Sequence, residues 1–345
     1  MDKIWWEQLN SPSRFIRETA EKLSNGKSIV LFLPKHVPWL ETMRDVLEKC
    51  LRKSGTLSIK VVDAENIFLE PPEYVFEEFC GDKNGFRPYS KGAYAKFLAE
   101  RTGIALNSSC IWIRKAKSSS AINWLSFIAD YHHFLGNKRG GVFLLETTED
   151  FYSTNKNGVE ILSYDQKISD YDCFAFNIFI AAEFGKENNL VKQYLAELVS
   201  ALTEGNVEFG AECIRRGESL LKNPAVVFEN ILSTDKFTSN KNHEDIDRAI
   251  WLTQLKLIFP LVETFRRNFI KKYELTIKNT PPYPVTPEEL EIGNLYGMFA
   301  LKRWLLDAQD ADDLEFYREA RNKLAHLKNL PFDELQKIFE KNSKR

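Results

Sequence analysis

With 345 residues, 43% of them apolar, the chain can bury a sizeable core, and its length suits two domains or three small ones. Its 47 Lys and Arg against 49 Asp and Glu leave a formal charge of −2, which excludes a global basic field for nucleic acid and an acidic tail for a basic partner, so any such binding is local. Five cysteines without a C-x-x-C pair speak against a zinc site or a disulfide framework and for reduced, mostly buried thiols.

The first residues, MDKIWWEQLN, are partly acidic and lack the apolar stretch of a signal peptide. The most apolar window, Cys173 to Phe184, is too short to cross a bilayer, so a cytoplasmic protein without membrane association is expected. Apolar runs suited to buried parallel strands follow in order: SIVLFLP (Ser28 to Pro34), LSIKVVDA (Leu57 to Ala64), CIWIRKA (Cys110 to Ala116) and GGVFLLETT (Gly140 to Thr148). Between the first two, Leu40, Met43, Val46, Leu47 and Leu51 recur at helical spacing and Gly55 stops the helix. This alternation predicts a three-layer α/β domain.

Beyond Phe184 the strand signals stop, and Asn188 to Leu232 reads as short helices punctuated by glycines and Pro224. Ser233 to Asp247 is polar and is the expected linker. A long helix bent at Pro260 is expected over His243 to Leu275, then a Pro-rich loop ending in Thr286-Pro287-Glu288-Glu289, where capping chemistry starts a helix running through Leu290 to Ala308. A second capping pair, Asp312 to Glu315, precedes the stretch FYREARNKLAHLKNLP (Phe316 to Pro331), a helix that Pro331 stops.

Three weaker constellations read as structural. His132 and His133 are adjacent on a helix and point to different sides, so a packed or surface pair fits better than a metal site. Glu77, Glu78 and Asp82 fit a solvated face. Asn25-Gly26-Lys27-Ser28 holds the letters of a phosphate loop but precedes its strand, so a tight turn explains it.

The order strand, helix, strand, then CIWIRKA and GVFLLETTED, resembles an AAA+ or STAND-type P-loop ATPase core followed by a helical lid, over roughly residues 20 to 235. CIWIRKA stands where the Walker B strand belongs and GVFLLETTED where the sensor strand does. The glycine-rich loop is missing. SIVLFL runs into PKHVPWLET (Pro34 to Thr42), with two prolines, which lack the N–H such a loop must offer, and no GK[ST]. Arg114 and Lys115 occupy the place of the magnesium-holding acids. The resemblance therefore implies a degenerate ATPase that does not hydrolyse nucleotide.

Arg321-Asn322-Lys323-Leu324-Ala325-His326, on a late helix of a small bundle, resembles the R-x-x-x-x-H signature of the HEPN family of helical ribonucleases and RNA-binding modules. Phe259 to Ile270 resembles the companion helix. The chemistry is coherent: in metal-independent cleavage a base takes the proton of the ribose 2′-OH, a cation stabilises the phosphorane and an acid protonates the leaving oxygen. His326 can exchange protons near neutral pH and Arg321 can hold phosphate bidentately. On a 3.6-residue helix Asn322 and His326 share a face, whereas Arg321 is offset from His326 by roughly 140°. The resemblance implies a dimer in which two such helices form one composite cleft. By analogy Glu263 and Arg266 or Arg267 support it, and Lys271 and Lys272 guide the RNA backbone.

A purely structural role is the competing reading. Acidic Asp312, Asp313 and Glu315 at the helix start and basic Lys323, His326 and Lys328 at its end follow the helix dipole, with Arg321 paired to Glu315 or Glu319 and with Leu324 and Leu327 packed. The expected fold class is thus α/β plus all-α: a degenerate P-loop-like domain with a parallel sheet (1–185), a helical lid (186–235) and a HEPN-like helical bundle (236–345). The expected function is regulated endoribonuclease action on RNA in a bacterial antiphage or toxin–antitoxin system, as a homodimer through the C-terminal bundle and with a protein partner. Neither metal nor cofactor is implied. The alternative is a non-enzymatic adaptor of a defence complex; a third possibility is nucleotide binding without hydrolysis.

Overall fold

A computed structural model describes residues 1–55, 57–80, 83, 86, 91–101, 106, 108–148, 158–183, 188–234, 236–280 and 286–343. These residues form two compact units, Met1–Asp172 and Cys173–Arg345. Asp82 and the prolines of the 281–285 stretch lie outside the described residues.

The first unit is built on five parallel strands, β1 (Ser28–Phe32), β2 (Ser58–Asp63), β3 (Ser109–Ala116), β4 (Val142–Thr147) and β5 (Val159–Ser163), in the order β2-β3-β4-β1-β5. Its helices are α1 (Asn10–Ser24), α2 (Leu40–Ser54), α3 (Pro71–Phe79), α4 (Lys91–Glu100), α5 (Ser118–Leu135), the short α6 (Tyr164–Lys167) and the start of α7 (Asp170–Ala182). Alternation along the strands divides the core. Val30, Ile111, Ile113, Phe143 and Leu145 join Val75 and Phe76 of α3, Leu98 of α4 and Trp124 and Phe127 of α5 in one buried cluster. Of opposite parity, Trp112 donates to Glu146, which also takes Arg44 of α2. The layers are helix, sheet, helix. The four strands read from apolar runs are β1 to β4. β5, which closes the sheet beside β1 with Ser28 opposite Val159, carries no continuous apolar run: Glu160 interrupts it, and Val159 and Leu162 are buried while Ile161 is 40% exposed.

The second unit is helical: α8 (Asn189–Thr203), α9 (Val207–Arg215), α10 (Glu218–Lys222), α11 (Pro224–Leu232), α12 (His243–Lys272), α13 (Glu274–Lys278), α14 (Ile292–Phe299), α15 (Ala308–Ala325) and α16 (Phe332–Ser343). Residues 186–235 and 236–345 share this unit, whose lower bound falls within α7. Tyr194 of α8 takes a hydrogen bond from Gln254 of α12 at 3.3 Å and packs against Phe339 of α16. α12 starts on a capping box between Asn242 and Asp245 and continues through Pro260. The box at Thr286 and Glu289 also forms, but it opens a single turn, Pro287–Glu289, and α14 starts on a second box between Glu291 and Asn294. α14 ends at Phe299, short of the expected Ala308. Asp312 to Glu315 lie inside α15, which begins at Ala308, so they cap nothing.

Candidate functional site

α15 buries Ala311, Leu314, Tyr317, Ala320 and Leu324, a stripe at three- and four-residue spacing that seats it against α12, with Tyr317 stacked on Phe265 at 4.2 Å between centroids. The helix ends at Ala325, six residues before Pro331. His326 donates its backbone N–H to the Asn322 carbonyl at 3.0 Å, Leu327 takes a left-handed φ of 58°, and Lys328 N–H closes back on the Lys323 carbonyl at 2.9 Å. This is the six-to-one closure usual for glycine at the turning residue. It leaves the His326 ring exposed at the helix end and Leu327 71% exposed, so Leu327 does not pack. The turn is fastened to the first half of α12: Trp251 Nε1 donates to the Leu324 carbonyl at 2.8 Å, and Gln254 exchanges two hydrogen bonds with the backbone of Leu330.

Arg321, half-buried, donates to a carboxylate oxygen of Glu291 at 3.0 Å. Neither Glu315 nor Glu319 is its partner. Glu315 accepts from Arg303 at 2.9 Å and from Tyr296, and the Arg303 hydrogen bond holds its carboxyl below the usual range. Glu291 is itself the capping residue of α14, so Arg321 joins the start of one helix to the face of another. Asn322 is half-buried one turn before His326.

The supporting residues gather elsewhere. Glu263, Arg266, Arg267 and Lys271 line an open groove of about 710 Å³ on α12, together with Asn268 and Glu288. Within it Arg266 is committed to structure, donating to Glu263 at 2.7 Å and to the backbone carbonyls of Glu288 and Leu290 at 2.9 and 3.0 Å. Arg267 and Lys271 are exposed. Lys272 does not share the groove: hydrogen bonds to Asp307, at 2.7 Å, and to Asp310 draw it to α15 and raise its pKa well above the ordinary lysine value. Arg321, Asn322 and His326 line none of this groove. The turn after His326 is fastened near Trp251, and Arg267 lies roughly 24 Å further along α12 at 1.5 Å per residue. Within one chain, therefore, His326 and the α12 cations stand at opposite ends of that helix. What connects them is the segment from Glu288 to Glu291, gripped by Arg266 on its carbonyls and by Arg321 on its last carboxylate.

In the first unit the strand–loop–helix from β1 to α2 crosses the carboxyl end of the sheet, where open α/β sheets usually bind ligands. Its Pro38 carbonyl accepts from Trp6 Nε1 at 2.9 Å, and α2 opens with Glu41, an anion, in its first turn. Glu146 of β4, buried, accepts from Arg44 Nε and Nη and from Trp112 Nε1 at 2.8 Å. Burial opposes the charge on Arg44, but the hydrogen bonds and field of Glu146, with Glu41, overcome it and hold the guanidinium above its ordinary pKa. Lys115 pairs with Asp63 at 2.9 Å and Glu65 at 2.7 Å. Glu77 and Glu78 are exposed on α3. His133 is exposed, whereas His132 is buried against Ser28, with 2.6 Å between ring nitrogen and hydroxyl. Among the described residues no group of His, Cys, Asp or Glu is placed to hold a metal ion, and no helix is long and apolar enough to cross a membrane.

No known protein-family profile matches the chain, and no curated protein is significantly similar to it.

Proposed function

We propose that the second unit is a metal-independent RNA-cleaving module of HEPN type that works as a homodimer. The first unit is its degenerate ATPase-like sensor, in a bacterial antiphage or toxin–antitoxin setting. The observation that carries this reading is the exposed imidazole of His326 at the end of α15, one turn after Asn322 and on a turn held rigid by Trp251 and Gln254. A general base must reach solvent and substrate while its backbone stays fixed, and this position meets both needs.

His326 takes the proton of the ribose 2′-OH as that oxygen bonds to phosphorus, Asn322 orients the phosphate and Arg321 neutralises the phosphorane; the P–O5′ bond then breaks, the leaving 5′-oxygen taking that proton back by way of water and a 2′,3′-cyclic phosphate remaining. Because Arg321 and His326 diverge on their helix, the guanidinium comes from the second copy. Its pair with Glu291, exposed on the carboxylate side, is worth on the order of 0–1 kcal/mol, so the phosphodiester anion of RNA can displace it. Arg267 and Lys271 supply backbone contacts for longer RNA. On the sensor side, the β1–α2 loop has no glycine, loses two N–H donors to Pro34 and Pro38, and leads into a helix with the Glu41 anion in its first turn, so hydrolysis is not part of this reading.

A second reading, a non-enzymatic adaptor, is favoured by one observation: Arg321 and Arg266 both serve the segment that starts α14. The experiment incubates the full-length protein with single-stranded RNA in EDTA and compares it with His326→Ala, while light scattering and melting record mass and fold. Cleavage lost in the variant, with mass and melting unchanged, supports the nuclease. Equal behaviour of the two proteins supports the adaptor.

A further inference from the structure

The amino ends of the strands, opposite the edge where parallel sheets usually take ligands, frame a groove of about 570 Å³. Its floor is the start of β1, β4 and β5; its walls are the turns that end α1 and α5. Three cations line it, Lys27 from the first turn and Lys138 and Arg139 from the second, and among the described residues no Asp or Glu lines it. The other grooves described each contain a carboxylate, such as Glu263, Glu7 or Asp310. Both helices bring their carboxyl ends here, worth about half a negative charge each, but the Lys27 and Gly136 N–H groups close back on the Lys22 and His132 carbonyls. Three full cations outweigh what remains.

The groove also reaches a built polar group. Ser28 is fully buried, and its Oγ accepts the Phe143 N–H at 2.9 Å. Among the described residues its hydroxyl proton has one acceptor in reach, His132 Nε2 at 2.6 Å, and a buried hydroxyl left undonated is costly. Ser28 therefore donates to Nε2, which assigns the ring proton to Nδ1. Burial, with help from the Lys27 charge, lowers the His132 pKa to about 4, so the ring is neutral near pH 7 and Nδ1–H is a fixed donor. Gly158 leaves that nitrogen open: a Cβ there would lie 2.8 Å from Nδ1, and its φ of +82° disfavours any other residue.

We propose that this groove binds a small phosphate-bearing ligand, its phosphates held by Lys27, Lys138 and Arg139 and by the Nδ1–H of His132. The size suits a small molecule, and among the described residues the lining offers no Phe, Tyr or Trp on which the bases of a single-stranded RNA would stack. The site is separate from the β1–α2 loop and from the α15 residues, so it stands whether or not RNA is cleaved.

The experiment titrates the full-length protein, in EDTA, with sodium triphosphate and with ATP by calorimetry. It repeats both on Lys138→Glu/Arg139→Glu, a surface change whose fold is checked by melting. Saturable binding that the double variant weakens about tenfold or more is expected, since two charge-assisted contacts are reversed. The nitrogen shifts of His132 read the second element: Nδ1 protonated in the free protein and moved by either ligand. ATP binding tighter than triphosphate identifies a nucleotide; equal binding identifies the phosphate chain alone. The proposal is overturned by no saturable binding at millimolar triphosphate or ATP, by equal binding to the variant, or by an RNA oligomer bound through Lys138 and Arg139 where triphosphate is not.

Discussion

Replacing Glu146 by Gln tests whether the carboxyl end of the first unit's sheet is locked by a buried ion pair. Glu146 and Arg44 are 4% and 8% exposed, and the carboxylate gathers the Arg44 fork and the Trp112 indole. Gln keeps one acceptor but turns an amide N–H₂ toward the guanidinium, leaving a buried cation with Glu41, 77% exposed, as its remaining partner. Breaking one side of a buried pair costs about 3–5 kcal/mol. With Glu41 still in place we expect about 3 kcal/mol, which for a unit of this size lowers Tm by roughly 6–12 °C. Arg44→Met should cost a similar amount, because it strands the Glu146 charge. The double variant Arg44→Met/Glu146→Leu, apolar on both sides, should be less destabilised than either single change. Urea unfolding followed by tryptophan fluorescence measures the loss, and hydrogen exchange of the peptide Val142–Thr147 assigns it to the first unit. A loss below about 1 kcal/mol for Glu146→Gln, or single effects that simply add, would refute the account.

His132 gives an acid limb of known sign. Its folded pKa of about 4 lies below 6.5, so the unfolded chain binds the extra proton; the penalty is absent above pH 6.5 and grows to about 3 kcal/mol as pH falls to 4. Unfolding series at pH 7 and pH 4.5 should show His132→Gln losing less stability over that interval than the parent. At Leu327 a non-glycine residue holds φ 58°, which costs about 1–2 kcal/mol, less the entropy glycine loses on folding; Leu327→Gly should stabilise the second unit by about 0.5–1 kcal/mol in urea. Trp251→Phe removes the donor to the Leu324 carbonyl and should cost about 1 kcal/mol, with faster hydrogen exchange at His326 and Lys328 as the local readout.

Much of the fold was legible because its signals are local. β1, β3 and β4 announce themselves as apolar runs since both faces are covered; β2, at the sheet edge with Val62 alone buried, shows through Ile59, Val61 and Val62, and α2 shows its stripe and its glycine stop. β5 went unread because its five residues hold no continuous apolar run: Glu160 interrupts it and Ser163 ends it. The capping letters at Thr286 and Glu289 were read correctly as chemistry and wrongly as extent, since their box opens a single turn; those of Asp312 to Glu315 cap nothing, because α15 starts at Ala308, before them. Of the candidate site, the sequence showed Arg321, Asn322 and His326 on one element. It could not show that Glu291, thirty residues earlier, takes the guanidinium.

The pattern of apolar residues by itself determined that one part of this protein is a layered parallel sheet and the other a set of helices, because solvent sorts each face residue by residue. Only the tertiary structure decided where the ends of those elements meet. Strand order brings Ser28 beside His132 and Lys27 beside Lys138, and the packing of α15 on α12 sets His326 apart from Arg267 and Lys271. Pairings across a hundred residues depend on how whole faces stack, and no local propensity carries that information.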